Sequence, residues 1–485
     1  MYVGIDIGTS SVKTLLMDSS GYVVRTSSRE YPIIFVKEGW LEQNPRDWYD
    51  ETIEALKKLV AGYENEIKAI SFSGQMHGLV VLDERDEVIR PAILWCDQRT
   101  ERECEYLNND IGREKLIELT GNIALTGFTL PKILWMKNNE PDKFKRISKI
   151  MLPKDYIAYK MSGTFATDVS DASGTLLLDV KNRKWSQEML EIAGIDESKL
   201  PRVYESHQEI GRITNEVSEI LGLSEDVKII IGGGDQAMGA VGLGVVNEKN
   251  LSVSLGTSGV VFSNSDDYTF DSEARVHSFC NAASKYHQMG VILSAASCLK
   301  WWVENINKTY DYNALMKEAE GSDNENIYFM PYLVGERTPH NDSNVRGAFL
   351  GLGAMDDRGD MTKAVLEGVA FALRDSYEIL KDMKVKGNVI RLSGGGAKNK
   401  LWREIISHVF NLKVEILNSI EGPAFGASII AAVGDKRYKN VEEACDALIK
   451  VTEEIFPDEK EVEKYDAKYS KFRELYPMIC GFYKN

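Results

Sequence analysis

The sequence predicts an α/β protein with two lobes of related design around a central cleft, and three observations support this prediction. The chain has 485 residues, which is more than one hydrophobic core usually holds, so two large domains are expected. Short apolar segments typical of strands alternate with amphipathic segments typical of helices, as in α/β proteins. One pattern of residues also occurs twice, at positions about half the chain apart.

The duplicated pattern is an apolar strand, a Gly-Thr-Ser turn and a second apolar strand, at residues 5–12 and 253–260. Each copy predicts a β-hairpin, and glycines in such turns let backbone amides converge on a phosphate. Asp6 of the first copy corresponds to Ser254 of the second, so only the first hairpin places a carboxylate beside its turn. The pair therefore predicts a site for ATP and Mg²⁺ between two lobes.

The other elements follow from hydrophobic periodicity. Strands are expected at residues 69–73, 80–82, 228–231 and 389–393, and helices at residues 45–63, 299–307, 361–383 and 400–410. We expect an N-terminal lobe at residues 1–245, a nucleotide-binding C-terminal lobe at residues 246–437 and a helical appendage at residues 438–485.

Two predicted strands end in three consecutive glycines. The first is followed by Asp235 at the start of a predicted helix, where negative charge is favoured and the glycines leave room for a ligand. Simple helix capping is the alternative role for Asp235. Glycines at residues 394–396 would let a nucleobase or ribose lie against the backbone. Asn399 replaces the third glycine of a dinucleotide fingerprint, and the sequence contains neither a P-loop nor protein-kinase signatures.

Two further segments are candidates for sugar binding. Residues 73–78 place Gln75, Met76 and His77 between two glycines, although a single histidine in a turn is more often structural. Trp95, Asp97 and Arg99 offer the mixture of apolar and charged groups that polyol sites use. A surface ion pair is the alternative for Asp97 and Arg99.

These motifs together resemble the FGGY family of carbohydrate kinases, from the first residue to about residue 433. Besides the hairpins and glycine motifs, the segments that match are residues 127–135, 152–156, 276–280, 335–340 and 347–368. The resemblance implies two ribonuclease-H-like lobes of the actin, Hsp70 and sugar-kinase type. It also implies transfer of the γ-phosphate of ATP to a ketose, with D-xylulose expected and L-ribulose, fuculose, glycerol or gluconate as alternatives.

The resemblance assigns roles to individual residues. Asp235 is the expected catalytic base, Asp6 the expected carboxylate for Mg²⁺, and Met76 and His77 the expected sugar contacts. The other expected substrate-site residues are Gln75, Trp95, Asp97, Arg99 and Gln236. The expected ATP-binding residues are Gly8, Thr9, Ser10, Ser11, Gly256, Thr257, Ser258, Gly394, Gly395, Gly396 and Asn399.

Two positions depart from the pattern of some relatives. Cys96-Asp97-Gln98-Arg99 stands where those relatives have Asn-Asp-Gly-Arg, and Gln236 stands where they have Asn. Both changes are expected to border the sugar pocket, so they affect the choice of sugar rather than the reaction class.

The expected reaction is an in-line phosphoryl transfer, in which positioning and charge neutralisation supply most of the rate. Because the proton leaves late in a loose transition state, a base with an ordinary carboxylate pKa near ~4 would suffice. The rival assignment makes Asp6 the base and Asp235 the metal ligand. A sugar sensor without catalysis, or an ATPase of the actin and Hsp70 build, is the remote alternative.

Composition excludes several other partners. The net charge of −16 argues against nucleic acid or an anionic membrane as the main partner. No apolar run approaches the roughly 18 residues of a membrane span, and the N-terminus lacks the pattern of a signal peptide. A cytoplasmic location is therefore expected. A homodimer is one option for the assembly, which the sequence leaves open.

Overall fold

The computed structural model describes residues 1–418 and 422–483 and contains two large mixed β-sheets. The strands of the first sheet, in spatial order, are Glu209–Arg212, Lys228–Gly234, Ala69–Gly74, Tyr2–Ile7, Ser11–Met17 and Val23–Glu30. Those of the second sheet are Val451–Ile455, Lys413–Leu417, Val389–Ser393, Asn250–Leu255, Gly259–Ser265, Tyr286–Ile292 and His277–Cys280.

The two sheets share one topology over six strands. In each, the first strand of the hairpin pairs antiparallel with its partner and parallel with a strand from later in the chain. A second parallel strand and an antiparallel edge strand follow in both sheets. Asp6 lies opposite Ser73 in the first sheet, and Ser254 lies opposite Ser393 at the same place in the second. The predicted pair of ribonuclease-H-like lobes is thereby confirmed.

Helices cover these sheets and fill the spaces between them. The α-helices are Pro45–Val60, Glu101–Glu105, Arg113–Thr120, Thr129–Asn139, Pro141–Lys145, Pro153–Ser162, Val169–Ser173, Gln187–Ala193, Asn215–Leu221, Asp235–Gly242, Ala296–Lys300, Tyr312–Glu320, Arg358–Asp382, Lys400–Phe410, Gly422–Gly434, Val441–Leu448 and Glu459–Ile479. Two π-helical segments are Tyr106–Gly112 and Trp301–Ile306, and the 3₁₀ turns are Glu64–Glu66, Glu197–Lys199, Gly395–Lys398 and Cys480–Tyr483. Smaller sheets are formed by Ile34–Lys37, Trp40–Gln43 and Ala92–Ile93, and by the pairs Val80–Leu82 with Lys149–Met151, Ala166–Asp168 with Arg202–Tyr204, Leu178–Asp179 with Lys184–Trp185, and Tyr328–Met330 with Ala348–Leu350.

Two small-residue helices meet where the lobes join. The helix Gly422–Gly434 comes from the second half of the chain but packs on the first sheet, where Phe425 and Ile429 join a buried cluster with Tyr2 and Ile230. It also crosses the helix Asp235–Gly242 at backbone contact, because a Cβ added to Gly426 would lie 1.8 Å from the carbonyl oxygen of Met238. Glycine is therefore required at this crossing, and the two helices form one closely packed unit.

Most predicted elements are present, and two differ. The predicted helix at residues 299–307 is a short α-helix that continues as a π-helix through Ile306. The predicted helical appendage contains the strand Val451–Ile455, which pairs antiparallel with Lys413–Leu417 and forms the edge of the second sheet. This edge strand is mostly exposed and bears Glu453 and Glu454, so it lacks the apolar alternation by which strands are recognised. No helix within the described residues combines the length and apolarity of a membrane span.

Candidate active site

The two Gly-Thr-Ser turns lie at equivalent ends of the two sheets, and backbone bonds fix each of them. In the first turn the Gly8 N–H donates to the Ser11 carbonyl (3.0 Å), and the exposed Trp95 indole donates to Thr9 Oγ1 (2.9 Å). In the second turn the carbonyl oxygens of Gly256 and Thr257 accept from the N–H groups of Ala296 and Ala295. Ser10, Thr257 and Ser258 are exposed. Both turns thus present hydroxyl groups at the surface, as a phosphate-binding element requires.

Asp6 lies close enough to Asp235 for its charge to raise the pKa of Asp235. Asp235 is the first residue of the helix Asp235–Gly242 and is partly exposed. Burial, and then the charge of Asp6, raise the pKa of Asp235 to about 7. Burial also raises the pKa of Asp6, although its carboxylate accepts a hydrogen bond from Ser73 Oγ at 2.8 Å. The pKa of Asp235 therefore lies well above the ordinary carboxylate value near ~4, because burial and a neighbouring carboxylate both disfavour its charged form.

A cavity of about 450 Å³ opens beside Asp235. The helix of Asp235, the second hairpin and the glycine loop after Ser393 form its walls. Its lining includes Asp235, Gln236, Gly239, Ser252, Ser254, Gly394, Gly395, Gly422 and Pro423. A Cβ added to Gly395 would meet no atom within 4 Å, so this glycine borders open space. A cavity of this size accommodates a ligand as large as a nucleotide, and Asp235 is part of its lining.

Met76 and His77 lie beside the strand end that precedes Asp235. Met76 is buried, and a Cβ added to Gly234 would lie 2.9 Å from the Met76 sulfur. His77 is half-buried with a positive φ of 69°, and burial lowers its pKa to about 3. Its Nδ1–H donates to the Gly174 carbonyl at 2.7 Å, which leaves Nε2 of the neutral ring as a hydrogen-bond acceptor.

Comparison with known proteins identifies the family. Residues 1–242 match the N-terminal domain of the FGGY family of carbohydrate kinases, and residues 251–434 match its C-terminal domain. The chain belongs to the FGGY family of carbohydrate kinases. These kinases transfer a phosphoryl group from ATP to a sugar, so the chain is a sugar kinase.

Individual relatives span essentially the whole kinase. A xylulose kinase of Staphylococcus xylosus is 41% identical over 479 residues, covering 98% of this chain and 99% of the relative. The structure of a xylulose (xyloylose) kinase from Brucella ovis is 37% identical with a TM-score of 0.94 and covers 99% of both chains. A gluconate kinase from Lactobacillus acidophilus, 28% identical, also reaches a TM-score of 0.94 and covers 99% of this chain and 98% of its own. The backbone shape alone therefore does not distinguish between these sugars.

Asp97 and Arg99, two of the expected sugar contacts, bond to each other inside the fold of this kinase. The Asp97 carboxylate has no exposed surface and accepts from the Arg99 guanidinium and from the Leu41 N–H. The Arg99 guanidinium also donates to Glu42 at 2.7 Å. Their polar atoms are thus used inside the fold, where a buried Arg–carboxylate pair needs bidentate partners.

Three other predicted site residues are also turned toward the protein. The Gln75 side-chain nitrogen donates to the Gly8 carbonyl and to Gln43, which connects the segment of residues 73–78 to the first hairpin. The Asn399 carboxamide oxygen accepts from the Trp402 N–H at 2.8 Å and caps the helix Lys400–Phe410. Gly396 is buried, and a Cβ added there would lie 2.8 Å from both Trp402 and Leu255. These three residues contact other protein groups and do not line the cavity, whereas Gln236, Gly394 and Gly395 do line it.

Sequence reasoning missed the groups that hold His77 and the Asp235 strand. Lys132, which is fully buried, donates to the carbonyls of His77 (2.9 Å) and Gly127 (2.7 Å). Behind the glycines at 232–234, Ser170 Oγ accepts from the Gly234 N–H at 3.1 Å and donates to Asp168 at 2.6 Å. Lys132 and Lys154 lie in segments that match the family. Their positions in the sequence, however, gave no reason to expect them near His77 and the strand that precedes Asp235.

Adding a methyl group at Gly174 should weaken sugar binding selectively. A Cβ there would lie 2.5 Å from the His77 ring and 3.1 Å from Met76 Cε, so Gly174→Ala should displace both side chains. We expect the KM for the sugar to rise about 10-fold, the loss of roughly one hydrogen bond, while the KM for ATP stays within twofold. Gly321→Ala is the matched control, since Gly321 also ends a helix and its added Cβ meets nothing closer than 3.5 Å. An unchanged sugar KM in Gly174→Ala would show that His77 and Met76 do not contact the sugar.

A larger cavity of about 930 Å³ lies elsewhere on the N-terminal lobe. It is lined by Lys37, Trp40, Arg99, Arg102, Glu103, Tyr106, Leu134, Trp135, Lys137, Asn138, Asn139 and Ile192. Neither Asp6 nor Asp235 borders it, so the larger of the two cavities is not the one that contains the expected catalytic carboxylate.

Proposed function

We propose that this kinase phosphorylates D-xylulose to D-xylulose 5-phosphate in pentose catabolism, with ATP as donor and in the cytoplasm. The observation that supports this most directly is the position of Asp235, between the 450 Å³ cavity and the Met76–His77 segment. A carboxylate placed there can face both a terminal phosphate and a sugar hydroxyl. The full-length similarity to xylulose kinases supports the choice of sugar. Assembly as a homodimer stays a prediction.

A panel of sugars with ATP in a coupled ADP-release assay tests the proposal. The panel contains D-xylulose, L-ribulose, fuculose, glycerol, gluconate and 1-deoxy-xylulose. We expect the highest kcat/KM with D-xylulose. A higher kcat/KM with gluconate or L-ribulose would mean that this sugar, rather than D-xylulose, is the substrate, while the reaction would still be the phosphorylation of a sugar. ADP release that is independent of every sugar would remove the sugar-kinase function.

In the proposed mechanism Asp235 accepts the proton of the terminal sugar hydroxyl as that oxygen attacks the γ-phosphate. The hairpin turns at residues 8–11 and 256–258 position the phosphates from the two lobes, and closure of the lobes excludes water from the site. Gln236 donates a hydrogen bond to Asp235 and orients the carboxylate. Positioning and charge neutralisation supply most of the rate in such transfers.

The residues present are suited to Mg²⁺ as it is usually bound in kinases, through one or two carboxylates and the phosphates. Asp6 is half-buried beside the first turn, only one of its oxygens accepts a hydrogen bond from Ser73, and its charge raises the pKa of Asp235. A cation at Asp6 would relieve that repulsion and neutralise phosphate charge. Among the described residues no group of three or more His, Cys, Asp or Glu side chains is arranged to hold a metal ion.

The raised pKa of Asp235 predicts an acid limb in the pH profile. A general base is active when ionised, so kcat/KM should fall tenfold per pH unit below about 7, the pKa of Asp235 in the free enzyme. In kcat the limb should lie lower, because a cation at Asp6 opposes the raising effect of that carboxylate. Initial rates from pH 5 to 9 at constant ionic strength measure both. A kcat/KM that is flat between pH 5 and 8 would contradict the assignment.

A further inference from the structure

A short helix connects the two halves of the proposed sugar site. Val169–Ser173 ends at Gly174, whose carbonyl accepts from His77. At its other end Ser170 accepts from the Gly234 N–H, one residue before Asp235. The helix therefore contacts both the Met76–His77 segment and the strand end that precedes Asp235.

Asp171, in the middle of this helix, has a carboxylate without a hydrogen bond. Its side chain has no exposed surface, and neither Oδ1 nor Oδ2 has a hydrogen-bond partner within the described residues. Burial raises the pKa of Asp171 well above its ordinary value; the Lys154 charge opposes this shift, and the charges of Asp155, Asp168 and Asp235 add to it. A buried carboxylate with both oxygens unbonded is costly, so Asp171 requires a hydrogen-bond donor that the described residues do not supply.

Lys154 does not supply that missing partner. Its ammonium group contacts Asp155 at 2.6 Å and Asp168 at 3.0 Å, whereas Asp171 Oδ2 is 3.7 Å away. Asp168 is further bonded by Ser170 and by Ser206 at 2.7 Å. Lys154, Asp155 and Asp168 are thus bonded within the cluster. Asp171 lies near the positive charge of Lys154 but accepts no hydrogen bond from it.

The chemistry of the missing partner follows from these contacts. It must donate hydrogen bonds to two carboxylate oxygens, and it must be neutral, because a cation would lie beside the Lys154 ammonium and an anion beside Asp171 and Asp235. A polyol with adjacent hydroxyl groups meets both conditions. We propose that Asp171 is a substrate-binding residue that accepts hydrogen bonds from the non-reacting hydroxyls in the middle of the sugar chain and so determines which sugars bind. This inference rests on the proposed function and adds a specificity residue to it.

Kinetics with sugar analogues test the inference. Analogues of D-xylulose that lack the hydroxyl on carbon 3 or carbon 4 are compared in the wild-type enzyme, in Asp171→Asn and in Asp155→Asn. In the wild type, loss of the contacted hydroxyl should lower kcat/KM at least ~10²-fold, because the buried carboxylate is left unpaired. Asp171→Asn should raise the KM for D-xylulose about 10- to 100-fold, leave the KM for ATP within twofold, and lose most of the discrimination against that analogue.

Asp155→Asn is the control for a merely structural effect. Asp155 belongs to the same buried cluster, and its carboxylate is bonded to Lys154 and to the Leu152 N–H. This variant should lose thermal stability yet keep the wild-type discrimination against the deoxy analogue. Equal loss of discrimination in both variants would mean that Asp171 acts only through the cluster.

The wild-type measurement keeps the inference testable even if the variants do not fold. Should both deoxy analogues be phosphorylated as efficiently as D-xylulose, no buried acceptor contacts these hydroxyls and the inference is wrong, while the proposed function stands. Should the wild type phosphorylate no sugar, the proposed function fails first, and the inference fails with it.

Discussion

Asp235→Asn should lower kcat at least ~10²-fold, the usual size of a general-base contribution, with the KM for sugar and for ATP nearly unchanged. The amide keeps the shape of the carboxylate but cannot accept the proton of the attacking hydroxyl. The variant should also be at least as stable as the wild type above pH 7, because a neutral side chain no longer opposes the charge of Asp6. Steady-state kinetics and thermal unfolding at pH 8 measure these effects, and near-normal turnover would remove Asp235 from the role of base.

Asp6→Asn distinguishes this assignment from its rival. If Asp6 binds the metal, its replacement should raise the Mg²⁺ concentration needed for half-maximal rate, and Asp235→Asn should not. The rival assignment, in which Asp6 is the base, predicts the reverse pattern. Asp6 accepts a hydrogen bond from Ser73, and Asp235 accepts one from Gln236. The amide in each variant can therefore keep this hydrogen bond, so the two variants differ from the wild type in a comparable way.

Gly426→Ala should lower the free energy of unfolding by about 3 kcal/mol, at the upper end of the usual cost of overpacking. The added Cβ would lie 1.8 Å from the Met238 carbonyl oxygen and 2.9 Å from the Gly242 nitrogen, both backbone atoms of the facing helix. The helix Gly422–Gly434 has little room to move away, because it also packs closely on the first strand, where a Cβ added to Gly4 would lie 1.9 Å from the Ala424 carbonyl oxygen. Thermal unfolding should show a drop of at least ~5 °C.

Gly239→Ala provides the matched control for stability. Gly239 lies in the facing helix, and its added Cβ would meet nothing closer than the Pro423 ring at 3.8 Å. Replacing a helical glycine by alanine without a clash usually stabilises by roughly 0.5–1 kcal/mol. An equal loss of stability in both variants would mean that helix glycines, rather than the crossing, determine the effect.

The sequence predicted those parts of the fold and site that depend on short segments. The duplicated hairpins, the strands that end at Gly234 and Ser393, and the place of Asp235 at the start of a helix all follow from local patterns, because turns and strand ends use particular residues. The edge strand Val451–Ile455 was not predicted, because its exposed charged residues become a strand only by pairing with Lys413–Leu417.

Side-chain roles were predicted less well than backbone positions. Asp97 and Arg99 were expected at the sugar, yet Glu42 from a distant segment pairs with Arg99 inside the fold. The cluster that contains Asp171 is formed by residues on three separate elements, and no spacing in the sequence reports which carboxylate is left without a partner. Which polar side chains are buried and which groups they pair with depend on the tertiary structure, so the sequence alone does not reveal them.

The helix Gly422–Gly434 has a consequence for how the polypeptide can be divided. It lies on the first sheet although it belongs to the second half of the chain, and it covers Tyr2, Leu15 and Ile230. A fragment that stops at residue 245 would leave this apolar face in contact with water and would tend to aggregate. The two duplicated halves are therefore not autonomous folding units, and synthesis must proceed past residue 434 before the first of them is complete.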